Sequence, residues 1–267
     1  MKPFISHIAI FCLILGTACT KIEPENTSQA KPVVEGYLAA NHVMSLKVTN
    51  EALFSTSDTS RVINGLLVTV MDGTNTYNLS QDVNGYYTLP SLKVNPKLGY
   101  QLSFNYNGQP VSAATVIPPA PENYTASDST IVIVPFNSSA FTGVLPTFPN
   151  PITLKWSNPD ESYYIVVVKN IETNPVPINT STNVERTFIF RSNPVQNNTY
   201  DIRARQFQYY GRHWVILYRI NPEYAALYDN NGNSSLNIKT PFTNVTNGLG
   251  IFTGINADTV MVRVKSK

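Results

Sequence analysis

Apolar and polar residues alternate with period two along most of this chain. Tyr100, Leu102, Phe104 and Tyr106 alternate with Gln101, Ser103 and Asn105, the pattern of a strand with one wet face. Leu66, Val68 and Val70 alternate less cleanly. Ile152, Leu154 and Trp156 alternate with Thr153 and Lys155, and Val260, Val262 and Val264 with Met261, Arg263 and Lys265. Tyr163 to Val168 is a continuous apolar run, which predicts a central strand covered on both faces. Turn signals separate the runs: Asp72-Gly73, Asn84-Gly85, Asn107-Gly108, Asn158-Pro159 and Tyr210-Gly211. Asn107-Gly108, between Tyr106 and Val111, is the best hairpin signal. Short strands, frequent turns and no amphipathic helical stretch predict an all-β chain built of β-sandwiches of the immunoglobulin or fibronectin type III kind.

Proline punctuates the pattern most strongly at Pro118-Pro119-Ala120-Pro121. Proline cannot donate to a ladder and stiffens the chain, so a domain boundary is expected there. Residues 31–118 would form one sandwich able to fold alone, and residues 119–267 a second. The second contains a Trp strand, Ile152 to Trp156, followed by Tyr163 to Val167, an arrangement like a fibronectin type III core. One short helix is predicted near 221–229. Asn221 can cap it, Pro222 suits its first position, and Glu223 favours its dipole. Asp229 to Gly232 would end it.

The first residues follow a different rule. Lys2 gives a positive start, Phe4 to Leu15 is apolar apart from Ser6 and His7, and Gly16-Thr17-Ala18 precedes Cys19. This is the layout of a secretory signal, and the apolar run is shorter than the ~20 residues of a spanning helix. Residues 1–18 are expected to be a signal peptide and Cys19 the lipid-attachment residue of a bacterial lipoprotein. Position 16 departs from that pattern, since Leu is usual there and stands one place earlier, at Leu15. Residues 19–30 contain Glu23, Pro24, Glu25 and Asn26 and show no periodicity, as expected of a flexible tether. The expected location is therefore the cell envelope, held there by lipid.

Composition removes several function classes. Charged residues make up only 13% and the formal net charge is +2, so the chain as a whole has no electrostatic footprint for nucleic acid. The two cysteines are Cys12 and Cys19. Cleavage before Cys19 leaves one, which allows neither an internal disulfide nor a cysteine-based metal site.

Several landmarks fall in a meaningful order. After Cys19 come Pro32 to Leu38, then Gly65 to Asp72, Asn84 to Tyr87, Tyr100 to Phe104 and Ala114 to Pro119. Late in the chain stand Ile220 to Tyr224, Pro241 to Asn244 and Asn247 to Phe252. In this order the chain resembles the Bacteroidetes lipoprotein family of domain of unknown function 4249, over most of its length. The resemblance implies an envelope lipoprotein associated with TonB-dependent outer-membrane receptors, and it supplies no catalytic residues.

The residues themselves offer little chemistry. Of the three histidines, His7 lies in the leader, His42 in Ala-Asn-His-Val, and His213 between Arg212 and Trp214. No His-x-x-x-His or Glu-x-x-His spacing, Gly-x-Ser-x-Gly elbow or phosphate loop occurs, so no metal, cofactor or catalytic residue is expected. Asp160-Glu161 reads as a solvated loop. Asp229 to Asn233 has its glycine at the wrong place for a calcium loop and no downstream bidentate Glu. Asp128-Ser129-Thr130 and Asp258-Thr259-Val260 match a short O-glycosylation pattern. The richest cluster runs from Arg203 to Tyr228, in the residue types of binding hot spots. Strand phase would expose Arg203, Arg205, Tyr209 and Arg212 together and send Trp214, Ile216 and Tyr218 to the core. The expected function is a non-catalytic interaction module whose partner is an outer-membrane receptor protein. The alternative is a glycan-binding lipoprotein using exposed Tyr, Trp and Arg.

A lipid tether makes a direct prediction. Cys19→Ala should abolish acylation and move the protein from the membrane to the soluble fraction. Persistent sedimentation of the variant with outer membranes in high salt would show that another tether holds it.

Overall fold

The computed structural model describes residues 30–52, 61–134, 149–179, 186–229 and 242–267. The signal peptide, Cys19, nearly all of the tether, and Asn230 to Asn233 lie outside the described residues. The first half contains β1 (Pro32–Ala39), β2 (Val43–Asn50), β3 (Val68–Met71), β4 (Thr76–Gln81), β5 (Tyr86–Lys93), β6 (Gly99–Tyr106) and β7 (Gln109–Val116). The second contains β8 (Glu122–Ala126), β9 (Thr130–Val132), β10 (Ile152–Ser157), β11 (Tyr163–Asn170), β12 (Ile189–Arg191), β13 (Thr199–Ile202), β14 (Gly211–Ile220) and β15 (Leu249–Lys265).

The all-β prediction holds, and the strand phases follow the alternation in most places. Along β6, Tyr100, Leu102 and Phe104 are buried while Gln101, Ser103 and Asn105 face water. Asn107 and Gly108 both take positive φ, the geometry that closes the β6–β7 hairpin, with Tyr106 opposite Gln109. Two layers enclose the first core: β1, β2 and β5 on one side, β3, β6 and β7 on the other, with β4 paired to both β5 and β3. Val34, Met44, Leu46 and Tyr87 meet Val70, Tyr100, Leu102 and Val111 between them.

The second core is also two-layered. The three-stranded sheet β13-β10-β8 lies over β11, β14 and β15. Ile152, Leu154 and Trp156 of β10 pack with Val166, Val168, Val215, Leu217, Val262 and Val264, so the Trp strand takes the core position read from the sequence. Tyr163 to Val168 is the central strand β11, flanked by β12 and β14. Tyr164, Val166 and Val168 serve the core, while Ile165 and Val167 face the other way and are covered by a separate apolar cluster.

That other side carries the predicted helix. It is shorter than expected: α1 covers Pro222–Ala225, and a 3₁₀ turn continues to Tyr228. Asn221 precedes it but makes no side-chain cap. Its Nδ2 instead donates to Thr115 Oγ1 at 3.0 Å, Val116 O at 2.8 Å and Glu223 Oε1 at 3.1 Å.

The boundary at the proline run is crossed. β15 pairs in parallel with β1 from Val33↔Leu249 to Ala39↔Ile255, and then antiparallel with β14 from Ile220↔Ile255 to Gly211↔Val264. Val245 and Phe252 are buried in the first core although they follow β14 in sequence. The Gly254 N–H donates to Thr115 Oγ1 at 3.0 Å, and Asn256 Nδ2 donates to Pro118 O at 2.9 Å. Glu223 Oε1 accepts from Thr115 Oγ1 and Thr253 Oγ1, both at 3.0 Å. The expectation that few pairings cross residues 118–121 is therefore not met. Proline ends β7, but it does not stop a later strand from returning to β1.

Two outcomes follow from this seam. Burying a Val or Phe side chain contributes about 1.5–3 kcal/mol, and a domain holds only about 5–15 kcal/mol in total. A fragment of residues 31–118, which lacks Val245, Phe252 and β15, the parallel partner of β1, should show no cooperative melt by circular dichroism. A Cβ at Gly254 would stand 2.6 Å from Val116 O and 2.8 Å from Ile117 Cα. Gly254→Ala should then lower full-chain stability by about 2–4 kcal/mol in urea unfolding.

Candidate functional site

The segment from Arg203 to Tyr228 does not keep the strand phase expected of it. After β13 the chain turns through a 3₁₀ turn, Ala204–Gln206, in which Gln206 Oε1 accepts the Arg203 N–H at 2.6 Å. A turn of three residues per revolution breaks the two-residue phase of a strand. Arg203 and Arg205 remain exposed, while Ala204, Phe207 and Tyr209 are buried. Tyr209 is 7% exposed, and its ring stacks on Phe188 with centroids 4.8 Å apart and planes 2° from parallel. Tyr209 therefore leaves the predicted surface. Arg212 is exposed as expected, but it lies on β14, where its Nε donates to Glu172 Oε1 at 3.0 Å.

The phase of β14 is opposite to the one expected. His213, Val215 and Leu217 enter the core, and Trp214 is 46% exposed. Ile216 and Tyr218 share the face of Trp214 and are half-buried beside Tyr224 and Tyr228 from the helical segment. Both faces of this strand carry apolar residues because both are covered, one by β10 and one by the helix. The inward position of His213 is satisfied locally. Its Nδ1 lies 3.2 Å from Gly211 O and its Nε2 3.2 Å from Asn170 Nδ2. These partners fit a neutral ring protonated on Nδ1, donating to the carbonyl and accepting from the amide. Phe207 meets the ring edge-on at 5.1 Å.

The other sequence candidates remain apart. His42 is exposed in the turn between β1 and β2. Asp160 forms an ion pair with Arg219, so it is tied to β14. Asp128 Oδ1 accepts the Thr130 N–H at 2.9 Å, which leaves Ser129 exposed in the turn before β9. Thr259 is exposed on β15. Among the described residues no group of three or more His, Cys, Asp or Glu side chains could hold a metal. A cleft of about 550 Å³ lies beneath Pro118 and Pro119. Its Arg219 is occupied by Asp160 and by Ser162 Oγ at 2.9 Å, and its Asn221 by the contacts given above. No convergent set of unpaired groups addresses a small ligand there.

The surface that does draw exposed chemistry together is the outer face of β12, β11, β14 and β15. Register places Ile189, Lys169, Trp214 and Met261 in one row across the four strands. Beside it, Arg212 stands directly opposite Arg263, with Lys265 two residues further on the same face of β15. On the other side lie Arg191, Val167, Ile216 and Thr259. Met261 is 56% and Ile189 46% exposed. Glu172 bonds Arg212 and is held below the usual carboxylate range, first by that side-chain hydrogen bond. The sequence already placed Met261, Arg263 and Lys265 on one wet face. The missing signal was the pairing of β14 with β15, which no local pattern encodes.

The sequence model of one protein family, described as Domain of unknown function (DUF4249), matches residues 20–260. No curated protein is similar enough to match. Among solved structures, the FN1–FN3 domains of chicken CNTN1 are similar at 13% identity and a TM-score of 0.27, covering 88% of this chain. The chain spans 66% of that structure, just under two thirds of its length.

The buried imidazole makes stability depend on pH. Burial pushes the His213 pKa below its ordinary value, outweighing the Gly211 carbonyl and Glu172, which act upward. In the unfolded chain the ring takes its proton near pH ~6.5, and in the fold only at lower pH. The neutral ring's contribution is thus complete above about pH 6.5 and is lost as pH falls below it. The melting temperature should fall between pH 7.5 and pH 5, and His213→Gln should flatten that fall.

Proposed function

Taking as premise that the chain belongs to the DUF4249 family, we propose that it is a non-catalytic interaction module of the cell envelope. In this reading lipid on Cys19 holds it at the outer membrane, and it meets an outer-membrane receptor protein of the TonB-dependent kind. The observation that carries the reading is the exposed row of Met261, Trp214, Lys169 and Ile189 across four paired strands, in which Trp214 and Met261 stand side by side. Isolated exposed apolar residues are ordinary, but a row of large ones fixed by strand pairing is a preformed contact surface. Trp, Met and Arg are the residue types enriched at protein interfaces. The leader and Cys19 support attachment, and among the described residues no helix is long and apolar enough to cross a membrane.

The glycan reading required an exposed row of Tyr and Trp. Tyr209 lies buried under Phe188, and Tyr218 and Tyr224 pack in the cluster beneath the helical segment. Residues 203–228 thus present no such row.

The reading is tested by separating contact from stability. Trp214 is half-exposed, so Trp214→Ala should change the melting curve little, by about 1 kcal/mol or less. As an interface anchor it should cost about 2 kcal/mol or more of binding to the receptor recovered with the wild-type protein. Tyr209→Ala should do the reverse, lowering stability with little effect on recovery per folded molecule. Unchanged recovery with Trp214→Ala would reject this face as the contact.

A further inference from the structure

We propose that the outer face around Trp214 docks an acidic protein segment, in which carboxylates surround an apolar anchor. The inference rests on the interaction-module reading and adds the chemistry of the partner. Lys169, Arg212, Arg263 and Lys265 reach this face from three adjacent strands. Neighbouring strands are about 4.8 Å apart, and residues two apart on one face about 6.6–7 Å. Each cation therefore stands within roughly the 8–10 Å screening length of the next, Lys169 beside Arg212, Arg212 beside Arg263 and Arg263 beside Lys265, in a stripe about 16 Å long that an extended segment can follow. Among the described residues, Glu172 is the one carboxylate paired with any of them, through Arg212.

The cross-strand register sharpens the point. Arg212 and Arg263 are direct partners across the β14–β15 ladder. Like charges in that position disfavour the fold; Glu172 bonds Arg212 and also feels Arg263, so one carboxylate partly offsets two arginines, and Arg263 and Lys265 keep charge for a partner's carboxylates. An arginine fork also binds carboxylates through two parallel hydrogen bonds. Trp214 and Met261, in the adjoining row, would take the apolar anchor of the same segment.

The shape favours a protein segment over a lipid surface. The apolar row does not sit on a protruding loop tip. On one side lie the cations, and on the other the sheet runs under the helical segment, where Ile165, Tyr218 and Ile216 pack with Tyr224 and Tyr228. A flat bilayer would meet that segment before it reached Trp214, whereas a single extended chain can lie along the row.

The test uses the full-length protein and two fluorescein-labelled peptides of equal length. One is rich in glutamate with a central phenylalanine, and the other carries lysine in place of each glutamate. The glutamate peptide should bind at low salt, and its Kd should rise at least tenfold between 50 mM and 500 mM NaCl. The lysine peptide should not bind. The double variant Arg263→Glu with Lys265→Glu should weaken the glutamate peptide at least tenfold. Arg263→Glu alone should weaken the glutamate peptide while leaving the melting temperature within a few degrees of wild type, because the side chain is exposed. A glutamate peptide that fails to bind, or that binds the double variant as well as wild type, overturns the proposal. So does tighter, competing binding to phosphatidylserine vesicles, which would identify a lipid surface. The two readings fail separately. Receptor recovery lost with Trp214→Ala but retained by the charge-reversed variant keeps the contact face and rejects the acidic partner. Recovery unchanged by either variant rejects the face itself.

Discussion

The fold depends on one strand belonging to two cores. β15 begins beside β1, where Phe252 seals the first core, and continues beside β14, where Val262 and Val264 line the second. The two cores are therefore coupled through shared backbone. Small residues make the sharing geometrically possible. Gly250 takes φ +90°, and a Cβ there would run into the Val34 carbonyl, so only glycine lets β15 lie this close to β1. The Thr115–Asn221–Glu223–Thr253 network then closes the seam with hydrogen bonds from both halves.

Local pattern conveyed the strands far better than their partners. Alternation placed the buried residues of β6 and β10, and Asn107-Gly108 marked a hairpin that forms as read. Pro222 located the short helix. The proline run at 118–121 follows the end of β7 at Val116. What it could not convey is that residues 245–255 return to the first half, because parallel pairing across more than 200 residues (Val33 with Leu249) leaves no local trace.

The candidate site failed in the sequence for a related reason. The alternation assigns 203–209 to one strand face and 214–218 to one face of the next strand, but the 3₁₀ turn at Ala204–Gln206 interrupts the first, and β14, which starts at Gly211, takes the opposite phase. Along β14 the polar His213 points inward and the large Trp214 outward, the reverse of what hydrophobicity alone dictates. His213 is tolerated inside because Gly211 and Asn170 satisfy both ring nitrogens. Trp214 stands outside because the helical segment stops short of it. Arg212 was legible as exposed. Its neighbours Lys169 and Arg263 lie on strands far away in sequence, and only the sheet makes them a patch.

The position of β15 as the last of the strands also sets an order in time. A chain emerging N-terminus first, from a ribosome or through a translocation pore, cannot finish its first core when the residues of that core have appeared. β1 can pair with β2 early, but its other edge waits for a strand more than 200 residues downstream, and non-local parallel pairing is intrinsically slow to form. Until then the early strands present unpaired edges and an open apolar interior. Such a chain stays threadable while it is being made. Neither half is complete before the other, since β15 closes both.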